Sequence, residues 1–162
     1  GDSLQIQYVN AINMNQNVDI YNLDMFDTTT AQVAALHASG HKVMCYINAG
    51  SWEDWRPDKD DFPAEVLGND YEGWQGEKWL DIRRIDLLAP ILRARLNECR
   101  AKGFDGVDPD NVNGYLNPTG FPLTAPVKAP RSCPNSSLSS SSSAKAPQCT
   151  SRNGFPRRRL SS

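Results

Sequence analysis

The sequence predicts an α/β fold built on a parallel sheet. A helical pattern, a glycine and an apolar strand follow one another twice, with Gly40 before residues 42–47 and Gly103 before residues 104–108. Such alternation is typical of parallel strands joined by right-handed crossovers. Residues 42–47 are almost entirely apolar, as expected of a strand that is covered on both faces. We therefore expect about four parallel strands in a single domain.

Two strands and a helix are predicted before the first of these glycines. Residues 4–9 alternate between apolar and polar side chains, and a period of two is typical of a strand. Residues 18–24 form a second candidate strand, which ends in a carboxylate. The segment 27–30 offers Asp and Thr side chains as N-caps for a helix over residues 31–39, and a left-handed Gly40 ends that helix.

A long loop and a second helix are predicted after residue 50. Residues 51–77 are rich in Trp, Asp, Gly and Pro, and loops of this length in compact domains are usually functional or mobile. Residues 78–83 are a candidate short strand. The second helix is predicted from near Asp86 up to Gly103, with Pro90 tolerated in its first turn.

Charge divides the chain into two segments. Residues 125–162 contain seven Lys or Arg and no Asp or Glu, so residues 1–124 carry a net charge of about −9 and the remainder about +7. The acidic body argues against nucleic acid as a partner. The Ser-, Pro- and Arg-rich residues 125–162 contain too little apolar surface to offset chain entropy, so we expect a folded domain over residues 1–124 and a disordered tail.

Several classes of function are disfavoured by what the sequence lacks. No run of about 18 apolar residues is present, so no membrane span is expected. The cysteine spacing matches no zinc site and no phosphate-binding glycine loop follows the first strand, so we expect neither a metal nor a cofactor. Cys45, inside an apolar strand, is interpreted as a buried free thiol, whereas Cys133 and Cys149 could form a disulfide in an oxidising compartment.

Carboxylates recur at the predicted C-terminal ends of the strands, where α/β enzymes hold their chemistry. They are Asp24, Glu53, Asp54, Asp108 and Asp110. Cleavage of a glycosidic bond needs two carboxyl groups flanking the bond, and further negative charge stabilises the cationic transition state. We interpret Asp110 as functional. Asp27 and Asp105 are instead typical of caps, and Glu53 and Asp54 could alternatively pair with Arg56.

Four tryptophans lie in and after the predicted loop, and aromatic faces can stack on sugar rings. Trp52 fits a sugar-binding role and a packing role equally well, whereas Trp79 is typical of packing. His37 and His41 flank the end of the first helix and are interpreted as solvated helix-end residues. Acids and tryptophans gathered at strand ends indicate a carbohydrate site.

Four ordered motifs carry a resemblance to a known family. They are YNLDMFD at residues 21–27, CYINAGSWEDWRP at 45–57, GEKWLDIR at 76–83 and GVDPDN at 106–111. In these motifs the chain resembles glycoside hydrolase family 114, which contains the endo-α-1,4-polygalactosaminidases, over roughly residues 4–124. The resemblance implies a TIM-type barrel in a secreted protein that hydrolyses α-1,4-galactosaminyl or α-galactosyl linkages without a cofactor. Its partner would be a galactosamine-containing polysaccharide or oligosaccharide.

The resemblance also assigns roles to individual residues. Asp110 corresponds to the family's catalytic aspartate and would act as the nucleophile. The residues expected to line the sugar site are Asp24, Trp52, Glu53, Asp54, Arg56, Asp108, Asn111 and Tyr115. Asp108 stands where family members usually have Glu, which shortens its reach by one methylene, enough to disturb a tuned site.

About half of a barrel is expected. A (β/α)8 barrel takes about 250 residues, and the family's partner glutamate, on a later strand, has no counterpart in this sequence. We therefore expect a partial (β/α)8 TIM-type barrel of about four βα units that is inactive alone, with a tail that derives from a truncated or frame-shifted reading. Two alternatives stay open: a non-catalytic carbohydrate-binding module that uses the tryptophans, and a chain without a stable fold.

Overall fold

A computed structural model describes residues 1–8 and 11–125 of the chain. The predicted tail lies outside the described residues from position 126 onward, and so does the predicted pairing of Cys133 with Cys149. The elements in chain order are β1 (Leu4–Gln7), β2 (Ile20–Asp24), α1 (Thr30–Ala38), β3 (Lys42–Asn48), β4 (Ser51–Glu53), β5 (Leu67–Asp70), β6 (Glu77–Leu80), α2 (Ile85–Lys102) and β7 (Gly106–Asp110). Single 3-10 turns lie at Lys59–Asp61, Ala64–Val66 and Gly114–Leu116.

Four of the strands form one parallel sheet in the order β1-β2-β3-β7. The predicted α/β fold with about four parallel strands is thereby confirmed. The register places Asp24 beside Tyr46, Tyr46 beside Asp108, and Asn48 beside Asp110. Because residues in register share a face of the sheet, these five polar side chains project from the same side.

The other side of the parallel sheet packs against the helices. Its largest cluster of buried side chains consists of Tyr21, Leu23, Val33, Leu36 and Val43. Strand residues in this cluster alternate with the polar ones, as a period of two requires. The sheet therefore has an apolar face toward the helices and a polar face that is left for a site.

The prediction of a long loop over residues 51–77 was wrong. Within that segment β4 and β5 form, and β6 lies between them in a three-stranded antiparallel sheet. Strands β4 and β5 have only three and four residues, too few for a periodic pattern to show. The register pairs Glu53 with Glu77, so this small sheet brings two carboxylates side by side.

Helix α1 begins with a capping box. The Thr29 hydroxyl accepts a hydrogen bond from the N–H of Gln32, and the Gln32 side chain accepts one from the N–H of Thr29. Because Thr29 is the N-cap, the predicted capping role of Asp27 was wrong. Gly40 follows the helix with φ of +88°, in the left-handed region that favours glycine.

Helix α2 turns one face toward the sheets. Its buried residues are Leu88, Ile91, Arg95 and Cys99, spaced three or four apart as one face of a helix requires. The helix begins at Ile85, so Pro90 lies in its second turn rather than in the predicted first turn. Gly103 ends it in the left-handed conformation, as predicted.

A disulfide joins Cys45 on β3 to Cys99 on α2. The prediction of a free thiol at Cys45 was therefore wrong. Both residues are almost fully buried, because Cys45 lies on the helix-facing side of β3 and Cys99 on the sheet-facing side of α2. The partners are 54 residues apart in sequence, so no local pattern could reveal the pairing.

Asp105 has a structural role, but it links neighbouring segments and does not cap a helix or a turn as predicted. Its carboxylate accepts hydrogen bonds from the Val43 N–H at 2.8 Å and from Lys42 Nζ at 3.0 Å, and lies 2.8 Å from His37 Nε2. Burial raises the pKa of Asp105, but these three partners outweigh it and lower the pKa from 3.8 to about 2. The carboxylate thus ties the start of β7 to β3 and to the end of α1.

Asp105 is expected to contribute to the pH dependence of stability. A carboxyl whose pKa is lowered in the folded state stabilises the fold above its unfolded pKa of 3.8 and loses this contribution as pH falls toward about 2. We expect Asp105→Asn to lower the free energy of unfolding by about 1–2 kcal/mol at neutral pH, with a smaller loss below pH ~3. Chemical denaturation at both pH values measures this. Asp70→Asn, which removes an exposed carboxylate paired with Lys78, is the control, and an equal loss in both variants would contradict the role.

Candidate active site

The polar face of the parallel sheet gathers the predicted carboxylates Asp108 and Asp110 on β7. Asp108 Oδ2 accepts a hydrogen bond from Asn22 Nδ2 at 2.5 Å and a longer one from the Tyr8 hydroxyl at 3.3 Å. Burial, and then the charge of Asp108, raise the pKa of Tyr8, so this phenol stays protonated and donates. Asn22 Oδ1 is buried and has no hydrogen-bond partner in the described part of the chain.

Asp110 is exposed at the C-terminal end of β7, and both of its oxygens are held. Oδ2 accepts from the Tyr46 hydroxyl and Oδ1 from the N–H of Asn111, each at 2.8 Å. The Tyr46 ring also stacks on Tyr8, with 4.0 Å between ring centroids. Burial, and then the hydrogen bond to Asp110, raise the pKa of Tyr46. The two tyrosines therefore link the two aspartates in one arrangement.

Asp24 and Glu53 are bound by a buried guanidinium. Arg56 donates from Nε and Nη2 to the two oxygens of Glu53 at 2.8 and 3.1 Å, and from Nη1 to Asp24 Oδ1 at 3.0 Å. Its Nη2 also lies 2.7 Å from Asp24 Oδ2, at an angle that makes this an ion pair rather than a hydrogen bond. Burial raises the pKa of Glu53, against the opposing effect of Arg56. The predicted alternative, in which Glu53 pairs with Arg56, is thus what the structure shows.

Asn111 connects this site to the antiparallel sheet. It has a left-handed backbone with φ of +59°, which is uncommon for a residue with a side chain and typical of functional sites. Its side-chain amide donates to Asn48 Oδ1, Ser51 Oγ and Glu77 Oε1 at 3.2, 2.9 and 3.1 Å. Asn111 thus reaches from β7 into a buried polar network.

Two adjoining cavities of about 790 and 320 Å³ open on this face. Both are lined by Tyr8, Tyr46, Glu53, Trp55 and Trp74. The larger one adds Phe26 and Arg56, and the smaller one adds Asp110 and Asn111. Trp55 and Trp74 are 51% and 63% exposed, and exposed aromatic rings beside carboxylates suit a carbohydrate ligand.

Five of the predicted site residues line neither cavity: Asp24, Trp52, Asp54, Asp108 and Tyr115. Asp24 and Asp108 lie on the polar face, bound to Arg56 and to Asn22 and Tyr8. Trp52 lies on the opposite face of β4 from Glu53, packs beside Phe62, and donates from Nε1 to the Lys59 carbonyl at 2.9 Å. Asp54 is exposed beside Gly76, and Tyr115 lies on the turn at Gly114–Leu116, outside both linings. Side chains alternate along β4, and Ser51 and Glu53 take the inward positions. Trp52, between them, therefore points away from the cavities.

Several site residues were missed by sequence reasoning. Tyr8, Asn22, Tyr46, Asn48 and Glu77 were not predicted. Tyr46 and Asn48 could have been found, because they alternate with Cys45 and Ile47 and so must face away from the helices. Glu77 was hidden in the segment that was interpreted as a loop.

Within the described ranges, no group of three or more His, Cys, Asp or Glu residues is arranged to hold a metal ion. Over the same ranges, no helix is long and apolar enough to cross a membrane.

Asp110, at the C-terminal end of a parallel strand, faces a cavity lined by tryptophan and tyrosine, an arrangement typical of α/β proteins of the glycoside hydrolase class. The sequence model of glycoside-hydrolase family GH114 matches residues 1–129. The chain belongs to this family, as its motifs predict.

Two solved structures are similar to this one. Ega3 of Aspergillus fumigatus, in complex with galactosamine, is 46% identical with a TM-score of 0.74, and the match covers 76% of this chain and 49% of Ega3. The glycoside hydrolase domain of PelA from Pseudomonas aeruginosa is 19% identical with a TM-score of 0.61, over 72% of this chain and 47% of that domain, and shows likeness of fold alone. The chain therefore spans about half the length of each. No curated protein matches it.

Proposed function

We propose that the polar face of the parallel sheet binds galactosamine units of an α-1,4-linked polymer and carries part of the machinery that hydrolyses them. The observation that carries the proposal is the pair Asp108 and Asp110, held by two tyrosines beside an aromatic cavity. Its support is 46% identity to a protein whose structure contains galactosamine.

We also propose a barrel architecture and an extracellular location for this protein. The parallel sheet is proposed to be the first four strands of a (β/α)8 barrel, since its match to Ega3 covers 49% of that chain. Residues 1–124 would form this unit and residues 125–162 a separate tail. Secretion is proposed as well, because a buried disulfide such as Cys45–Cys99 forms and persists in oxidising compartments.

The amino group of the sugar is proposed to lie beside Asp108. An ammonium group needs acceptors, and the Asp108 carboxylate is an acceptor next to Tyr8, which lines both cavities. Asp110 is proposed as the nucleophile at the anomeric carbon. Its two hydrogen bonds hold the carboxylate in one orientation while it remains exposed to the cavity.

Turnover requires a second carboxyl group that protonates the leaving oxygen. Both oxygens of Glu53 accept N–H groups of Arg56, and Glu77 Oε1 accepts hydrogen bonds from three donors. Glu53 is therefore not free to act as the acid, and Glu77 is committed at one of its two oxygens. We propose that this chain binds the sugar without hydrolysing it. This agrees with the alternative of a non-catalytic carbohydrate-binding module, which the exposed Trp55 and Trp74 also favour.

Galactosamine binding tests the proposal. Titration with galactosamine is expected to change the fluorescence of Trp55 and Trp74, and galactose should bind more weakly because it lacks the ammonium group. Asp108→Asn and Asp110→Asn are each expected to weaken binding about 10- to 100-fold, since a hydrogen bond to a charged group contributes about 1.5–3 kcal/mol.

The matched control for this titration is Asp105→Asn. It makes the same chemical change on the same segment, but Asp105 contacts Val43, Lys42 and His37 rather than the cavities, so galactosamine affinity should be unchanged. Failure of the unmodified chain to bind galactosamine rejects the proposed site. Release of reducing ends from an α-1,4-galactosamine polymer by the purified chain rejects the proposed lack of turnover and assigns hydrolysis to it.

A further inference from the structure

Glu77 carries a buried network that the proposed chemistry does not use. It lies on β6, is 6% exposed, and borders the smaller cavity beside Asp110. Its Oε1 accepts hydrogen bonds from Asn48 Nδ2 at 2.8 Å, from the Ser51 hydroxyl, and from Asn111 Nδ2 at 3.1 Å. Three donors from three different segments thus converge on one oxygen atom.

The network fixes the backbone at the end of β7. The Asp110 carbonyl accepts the N–H groups of Ala49 and Gly50 at 3.1 and 3.2 Å. Gly50 approaches so closely that a Cβ built on it would lie 1.8 Å from the Asn111 carbonyl oxygen. Asn111 itself has the left-handed φ of +59°, a conformation that persists only where the surroundings enforce it. The hydrogen bond from the Asn111 side-chain amide to Glu77 helps to hold the residue in this conformation.

This left-handed conformation decides where the Asn111 N–H points. The N–H donates to Asp110 Oδ1 at 2.8 Å, while Tyr46 holds Oδ2. A continuous path of hydrogen bonds therefore leads from Glu77 through the Asn111 side chain and backbone to the Asp110 carboxylate.

We propose that Glu77 is a positioning residue, which sets the orientation of the Asp110 carboxylate by way of Asn111. The inference rests on the proposed function, since that proposal places Asp110 in the sugar-binding site. Glu77 acts here as an acceptor at a fixed place rather than as a group that touches the sugar, because its Oε1 is already occupied by protein donors.

Two substitutions at Glu77 distinguish its role as a hydrogen-bond acceptor from the effect of its negative charge. Glu77→Gln keeps an oxygen for the three donors and removes the negative charge, whereas Glu77→Ala removes both. Because both variants lack the charge, any difference between them measures the effect of the acceptor oxygen. Glu72→Ala, which removes an exposed carboxylate from the same segment, is the control for net charge.

The readouts are the ¹⁵N–¹H resonances of Asn111 and the dissociation constant for galactosamine. Glu77→Ala is expected to shift the backbone and side-chain resonances of Asn111 and to weaken galactosamine binding about tenfold, as expected when a supporting contact of a bound residue is lost. In Glu77→Gln the Asn111 resonances and the dissociation constant are both expected to stay close to those of the unmodified chain. Glu72→Ala should leave both unchanged.

Asn111→Gly provides a second test that does not depend on the folding of Glu77→Ala. Glycine accepts the positive φ without strain but lacks the amide, so it should weaken binding as much as Glu77→Ala does. The double variant should be no weaker than either single one, because both substitutions break the same path.

The outcomes distinguish this inference from the proposed function. Equal behaviour of Glu77→Gln and Glu77→Ala overturns the positioning role, and so do unchanged Asn111 resonances in Glu77→Ala or additive losses in the double variant. Absence of galactosamine binding to the unmodified chain rejects the proposed function instead, and the Asn111 resonances still decide whether Glu77 holds this residue.

Discussion

Loss of the Cys45–Cys99 disulfide is expected to lower the free energy of unfolding by about 4 kcal/mol. The bond closes a loop across the 54 residues that separate its partners, and the chain-entropy relation for a loop of this length gives a value of that size. The loop includes the antiparallel sheet and most of α2, so the unfolded state loses much conformational freedom when the bond is present. Stabilities of small domains are about 5–15 kcal/mol, so the loss is a large part of the total.

The measurement uses a background in which Cys133 and Cys149 are both replaced by Ser, so that reductant acts only on Cys45 and Cys99. Thermal unfolding is compared with and without reductant, and in Cys45→Ala/Cys99→Ala. Reductant should lower the midpoint in the background chain and leave the double Ala variant unchanged. A midpoint in the background chain that does not respond to reductant would contradict the stabilising role of this bond.

The same bond explains where sequence reasoning succeeded and where it failed. Helices α1 and α2 and strands β2 and β3 were predicted because their signals are local: Thr29, Gly40 and Gly103 mark helix ends within a few residues. The disulfide and the antiparallel sheet depend on pairs that are far apart in sequence. No period or cap within one segment encodes such pairs.

In the site, too, some residues could be predicted from local sequence signals and others could not. The carboxylates Asp24, Glu53, Asp108 and Asp110 were located because parallel strands place their C-terminal ends at one edge of the sheet, and this topology follows from the helix–strand alternation. Which side chain points inward was decided by alternation within each strand. That rule was not applied to Trp52. It could not be applied to Glu77, because this residue was assigned to the loop, one residue before the strand predicted at 78–83.

Arg56 is expected to be the residue whose loss costs the most stability through electrostatics. It binds Asp24 and Glu53, and all three side chains are buried, with 9%, 2% and 4% of their surface exposed. Arg56→Met keeps much of the aliphatic stem but removes the guanidinium, which lies over the Phe26 ring, and leaves two buried carboxylates without their cation. Breaking a buried ion pair in this way costs about 3–5 kcal/mol, so the variant should be strongly destabilised at neutral pH.

The loss should shrink as the pH is lowered. Burial already raises the pKa of Glu53 above its usual 4.5, and removal of Arg56 raises it further. A carboxyl whose folded pKa is raised binds its proton more tightly in the folded state, so stability is gained as pH falls toward 4.5 and lost as pH rises. Denaturant unfolding at pH 7.5 and pH 5 should therefore show a smaller difference between Arg56→Met and the unmodified chain at the lower pH.

The control is Arg84→Met, since Arg84 also donates two hydrogen bonds to one carboxylate, that of Asp86, at 3.2 and 3.0 Å, but both side chains are exposed. An exposed pair contributes up to about 1 kcal/mol, so this variant should lose little at either pH. Glu53→Gln in the Arg56→Met background should recover part of the stability, because it removes one of the two unpaired charges. A loss in Arg56→Met that equals the control, or that is the same at both pH values, would show that buried charge at Asp24 and Glu53 is not what Arg56 compensates.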